Sequence, residues 1–161
     1  MVQRRPLDIG LTDQQRSDIA RGLSRLLADS YTLYLMTHNF HWNVTGPNFT
    51  GLHAMFETQY DELAEAVDDI AERIRALGEF APQGYRSFGN LSSIGDGDPE
   101  KSAEEMLREL QRDHETVVAT ARAALPAAQQ AGDEVTVSLL SDRLTAHEKH
   151  AWMLRSTLGG K

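Results

Sequence analysis

Between residues 50 and 78 the chain repeats one spacing without interruption. Phe56, Tyr60, Leu63, Val67, Ile70, Ile74 and Leu77 follow one another at steps of four and three. An α-helix, at about 3.6 residues per turn, gathers residues so spaced onto one face. A seam of that length needs an equally long apolar partner, which commits the rest of the chain to supplying long helices. It does so three more times. Thr12 with Gln15 has the pattern of a capping box, and helical spacing then runs to Trp42, placing Leu27, Tyr31, Tyr34, His38 and His41 on one face. Ser102 with Glu105 repeats the capping pattern and opens a helix expected to reach Gly132, with Pro126 expected to kink or interrupt it. A last helix is expected over residues 133–158, and Thr50 is the expected cap of the second.

No stretch alternates as a half-buried strand does. Residues 79–99, rich in glycine and proline, form a long crossover with a short helix expected near residues 87–92. Four long helices with one long connection between the second and third predict an all-α, ferritin-like four-helix bundle. The 161 residues suit a single domain, with a short N-terminal tail over residues 1–11. A net charge of −8 argues against a general nucleic-acid binder, which needs a basic surface to neutralise phosphates. The absence of cysteine excludes disulfides, iron–sulfur clusters and thiolate metal sites. No apolar run approaches the ~20 residues of a membrane span, and the first residues lack a signal-peptide apolar region. A cytoplasmic protein without a membrane partner is the expectation.

The second helix carries another stripe beside its apolar seam. His53, Glu57, Asp61, Ala64, Asp68 and Glu72 step by four, four, three, four and four. Residues four apart are neighbours on a helix surface, so His53 with Glu57 and Asp68 with Glu72 are two potential chelating pairs. Imidazole and carboxylate without thiolate suit iron, manganese or zinc. The pair midpoints, at positions 55 and 70, are fifteen residues apart, or about 22 Å along a helix. One copy cannot unite them. Two copies crossing antiparallel about a two-fold axis near Glu62 and Leu63 can, with small Ala64 permitting close approach. His41, just before the turn Asn-Val-Thr-Gly-Pro-Asn, is placed to join His53 as a further ligand. Taken singly, Asp61, Glu62, Glu65 and Asp69 read as solvated surface, and His38 as a packed or supporting histidine.

The segments HNFHWNVTGPNFTGLHAMFE and DDIAERIRALG, with the ending HEKHAWMLRSTLGG, resemble the Dps family, mini-ferritins named for DNA protection in starved bacteria. The resemblance spans essentially the whole chain. It implies an oxidation site shared by two-fold-related subunits, with His41, His53 and Glu57 from one and Asp68 and Glu72 from the other. Trp42 matches the family's tryptophan beside that site. It further implies a hollow dodecamer that oxidises ferrous iron, preferentially with hydrogen peroxide, and stores the ferric product. Asp133 and Asp142 fall where similar chains line three-fold pores with acids, although Asp133 also reads as a helix cap. Ser138 stands where many relatives carry an acid.

Other patterns are weaker. His147 and His150 are three apart, not the four of a zinc HExxH helix, and read as structural. Glu104, Glu105, Glu109 and Asp113 alternate with Arg108 and Arg112, as a solvated face does. No Glu is followed three residues later by His, the pattern of an intra-bundle diiron site. The alternative of a DNA-compacting stress protein, nucleoid-associated and with an incidental metal site, has only Arg4, Arg5 and Lys161 as tail cations.

Overall fold

The computed structural model describes residues 7–160. The tail cations Arg4, Arg5 and Lys161 lie outside the described residues. Four long helices, α1 (Asp13–Asn43), α2 (Phe49–Ala76), α4 (Ala103–Ala131) and α5 (Glu134–Thr157), form the bundle, with the short α3 (Tyr85–Leu91) in the crossover. The expected all-α architecture and order are found, without a strand among the described residues. α1 packs along α2 and α4, α4 along α5, and α3 rests on α1.

The caps set the helix ends. Thr12 Oγ1 accepts from the Gln15 backbone at 3.2 Å while the Gln15 side chain accepts from the Thr12 amide at 2.9 Å. Ser102 and Glu105 make the same reciprocal pair at the start of α4. Thr50 is not the cap of α2. Asn48 holds that position without a side-chain hydrogen bond, and the Phe49 amide is satisfied by the Gly46 carbonyl at 3.1 Å. Just past α2 and its C-cap Leu77 stands Gly78, whose φ of +89° costs a residue with a Cβ strain that glycine avoids. α4 runs through Pro126 without the interruption that was one of the two expected outcomes. Pro126 and Arg122, the residue whose carbonyl loses its intrahelical partner, both lie on the exposed side, where that oxygen is within reach of solvent.

The core holds Phe56, Leu63, Ile70, Ile74 and Leu77 of the α2 seam, all fully buried, against Leu23, Leu26 and Leu33 of α1 and Leu110 and Val117 of α4. Burying each such side chain contributes about 1.5–3 kcal/mol. Tyr60 and Val67, also on the seam, stay partly exposed at its edge. Buried Asp29 fastens the crossover: its carboxylate accepts from the Ser93 amide at 2.5 Å, Ser92 Oγ at 3.1 Å and Thr120 Oγ1 of α4 at 2.6 Å.

The expected solvated acids of α4 divide. Glu104 and Glu105 are exposed, but Glu109 and Asp113 are buried. Lys101 forms an ion pair with Glu109. Burial, then the Glu109 charge, pushes the Asp113 carboxyl up to about 6. The alternation with arginines conceals this because Glu109 and Asp113, four apart, share the flank facing the crossover.

Candidate metal centre

The turn after α1 folds the start of α2 back so that His41 and His53 meet. Their rings stack with centroids 3.6 Å apart and planes inclined by 17°. Nδ1 of His41 lies 2.8 Å from the carbonyl oxygen of His53, and Nδ1 of His53 lies 2.8 Å from the carbonyl oxygen of His41. A carbonyl only accepts, so each Nδ1 carries the proton and donates. That leaves Nε2 of each ring as the nitrogen on which a lone pair can be offered to a ligand. Fixing one ring nitrogen as donor is how proteins orient a histidine for ligation through the other.

Glu57 follows one turn after His53 and is exposed, as are Asp61, Ala64, Asp68 and Glu72 along the stripe. The structure thus brings His41 to His53 and leaves Asp68 and Glu72 far along α2. Among the described residues no three His, Asp or Glu side chains converge as a set able to hold a metal ion. The donor chemistry fits iron, but one chain supplies it in two separated halves.

Aromatic rings pack around the histidine pair. His38 lies 4.3 Å, centroid to centroid, from both Trp42 and Tyr60, and Tyr60 sets its edge against His41 at 5.1 Å. Burial, then the charges of Glu57 and Asp61, raises the Tyr60 phenol above its ordinary range. Trp42 remains 59 % exposed on the single chain.

The two acids expected near a pore differ. Asp133 is buried and caps α5: it accepts from the Thr136 amide at 3.1 Å and pairs with Arg73 at 2.8 Å. Burial works to raise its pKa, but bonds from Thr136 and Arg73 hold the carboxyl below the usual carboxylate range. The capping role is therefore the one seen. Asp142 lines an open cleft of about 780 Å³ between α2 and α5, with Asp69, Glu72, Glu134, Ser138 and Arg143.

Inside the bundle lies a polar cluster that the sequence showed only in part. His147 and His150 are buried, as their structural reading expected. Glu62, expected at the surface, receives two bonds from Arg143, one of 3.0 Å, and has His150 Nε2 at 3.6 Å. Burial acts to raise the Glu62 carboxyl, but His150 and Arg143 bring it down to about 2. Arg143 also lies 3.2 Å from His147 Nε2, and His147 Nδ1 lies 2.9 Å from His114 Nδ1. Burial, then neighbouring positive groups, lowers His147 to about 3 and His114 well below its ordinary value. His114 was legible from its place between Leu110 and Val117 on the α4 seam; Glu62 and Arg143, so distant in sequence, offered no such signal.

A family model described as "Ferritin-like domain" matches residues 20–160. The chain is 38% identical over 161 residues to an uncharacterised low temperature-induced protein of Nostoc sp., covering 96% of this chain and 88% of that one. It is 39% identical over 136 residues to DNA protection during starvation protein 2 of Bacillus anthracis, covering 84% and 93%. The crystal structure of the Vibrio cholerae Dps protein, described as a member of a broad superfamily of ferritin-like diiron-carboxylate proteins, superposes with a TM-score of 0.91 at 30% identity, covering 98% and 99%. Fold, matched length and relatives agree: this chain belongs to the Dps family of ferritin-like proteins.

Proposed function

We propose that the chain oxidises ferrous iron with hydrogen peroxide at sites shared by two-fold-related copies, and stores the ferric product inside a hollow dodecamer. Each site takes His41, His53 and Glu57 from one copy and Asp68 and Glu72 from its neighbour. The observation that carries this reading is the reciprocal bonding of His41 and His53, which readies two Nε2 lone pairs beside a carboxylate while the other carboxylates stand too far along the same helix.

Iron is the substrate. Two ferrous ions, one peroxide and two protons give two ferric ions and two waters, so no hydroxyl radical leaves. Carboxylate oxygens are hard donors that favour the ferric product. Zinc and manganese suit the same donors and act as competitors. Acids at the cleft that includes Asp142 draw cations inward. No helix among the described residues is long and apolar enough to cross a membrane; a cytoplasmic shell that protects the cell from peroxide and iron together is the role this chemistry supports. The negative charge of each copy disfavours direct DNA compaction.

Anaerobic loading of the purified protein with ferrous iron, followed by peroxide, tests the reading. Ferric absorbance should rise rapidly and the iron should remain soluble and co-migrate with the shell. Ferric precipitation at the rate of protein-free buffer would overturn it.

A further inference from the structure

The chain has four tyrosines, and their placement is not that of scattered core residues. Tyr60 stands edge-on to His41 at 5.1 Å. Tyr34 follows at 6.2 Å from Tyr60, and Tyr31 at 5.9 Å from Tyr34. Tyr31 stacks on Phe88 at 4.9 Å. Tyr31 and Tyr85 line one cleft between α1 and the crossover, and Tyr85 is 88 % exposed there. The fully buried core is built mainly from leucine and isoleucine, whereas Tyr60, Tyr34 and Tyr31 are all partly exposed. Phenols are among the few side chains that give up one electron readily, and here Tyr60, Tyr34 and Tyr31 run in line from the histidine pair to the cleft that Tyr85 also lines.

We propose that Tyr60, Tyr34 and Tyr31 form an electron relay that serves the iron site when only one ferrous ion is bound, carrying the oxidising equivalent to the Tyr31–Tyr85 cleft. The inference rests on the iron chemistry proposed above. Peroxide accepts two electrons and a single ferrous ion gives one. Tyr60 supplies the second and loses its O–H proton. One ferrous ion, one peroxide, one phenol and one added proton become one ferric ion, two waters and one phenoxyl radical. Tyr34 then restores Tyr60 by passing an electron, while Tyr60 takes a proton from solvent and Tyr34 releases its own to solvent, and Tyr31 restores Tyr34 in the same way. Successive ring centroids about 6 Å apart are the packing distances of contacting aromatic pairs, so each electron from Tyr31 to Tyr60 passes between neighbouring rings. The relay's consequence is that a half-filled site does not release hydroxyl radical.

The test uses the assembled wild-type shell loaded with one ferrous ion per site and treated with peroxide. A nitroso spin trap with peptide mapping locates protein radicals, and a soluble trap reports hydroxyl radical. Wild type should give adducts at Tyr31 or Tyr85 with little hydroxyl radical. Tyr34→Phe keeps the ring and removes only the oxidisable hydroxyl. It should lower adducts at Tyr31 and Tyr85 at least tenfold, leave them at Tyr60 and raise hydroxyl radical severalfold. Tyr31→Phe should stop the radical at Tyr34, which gives a second reading should Tyr34→Phe fail to assemble. Unchanged labelling of Tyr31 in Tyr34→Phe would overturn the relay. So would ferrous oxidation in wild type without any tyrosine adduct, an outcome that leaves the iron site standing. Failure of wild type to oxidise iron at two ions per site would instead remove the site on which the relay depends.

Discussion

His41 and His53 bond to each other's backbone: each imidazole Nδ1 lies 2.8 Å from the other residue's carbonyl oxygen. The pair therefore joins the end of α1 to the start of α2 while fixing which nitrogen of each ring stays free. On the shared-site reading, replacing both by alanine should slow the initial phase of peroxide-dependent ferrous oxidation by about tenfold or more, since both nitrogen donors go. Two lost hydrogen bonds cost about 1 kcal/mol each, too little to prevent assembly. Stopped-flow absorbance with native mass of the variant checks both halves. A wild-type rate in an intact double-variant shell would remove these histidines from the site.

The separation of Asp68 and Glu72 from that pair predicts complementation between differently damaged chains. His53→Ala shells and Asp68→Ala/Glu72→Ala shells should each oxidise iron poorly. In a mixed two-fold pair both defects fall in one site and the other is intact. Random co-assembly makes about half the pairs mixed, so recovery should approach roughly a quarter of wild-type activity. Co-expressed shells, with composition verified by mass, provide the measurement. Activity no higher than either parent would rule out a shared site.

Acid should weaken the fold in a window set by the buried imidazoles. His114 and His147 are depressed in the folded state, His147 to about 3, against 6.5 in the unfolded chain. The unfolded state then binds more protons, and stability present above pH 6.5 is lost as pH falls towards 3. The slope is up to roughly 1.4 kcal/mol per pH unit per histidine. Glu62, depressed to about 2, adds a lower window that opens below its ordinary 4.5. Urea midpoints at pH 7, 6 and 5 should fall steadily for wild type and much less for His114→Leu/His147→Leu. Equal slopes would show that these rings do not set acid stability.

Asp133→Ala removes the α5 cap and leaves the largely covered Arg73 without its carboxylate. Losing the cap costs about 1 kcal/mol, and stranding a largely buried charge brings the total to roughly 3–4 kcal/mol. Thermal unfolding should show a clear drop in Tm, whereas Asp142→Ala, at the exposed cleft, should leave Tm nearly unchanged and slow iron uptake instead.

Plasmid retardation should be absent at near-physiological salt and neutral pH, because the chain carries a charge of −8. Any weak complex at low salt should vanish steeply as salt is added. Tight binding that persists would reveal a basic patch assembled across subunits.

The long helices were legible because periodicity is a local signal, and the capping boxes at Thr12 and Ser102 needed only neighbours three residues away. His41 and His53 were legible for the same reason, being joined by a short turn. What escaped was tertiary. Glu62 looks solvated until α5 brings Arg143 and His150 to it, and Asp113 looks like one member of a charged face until the crossover covers that flank. Asn48 in place of Thr50 moves a boundary by only two residues, in a turn where several polar residues compete to cap.

The absence of a complete ligand set among the described residues has a consequence for timing. On the shared-site reading, a newly made, solitary chain offers two half-sites, neither with enough donors to hold ferrous iron firmly. On the shared-site reading, oxidation begins only after chains have met, at a rate that rises with their concentration. The ferric product therefore forms only where a wall is already closing around it, and the same contact that switches the chemistry on also supplies its container.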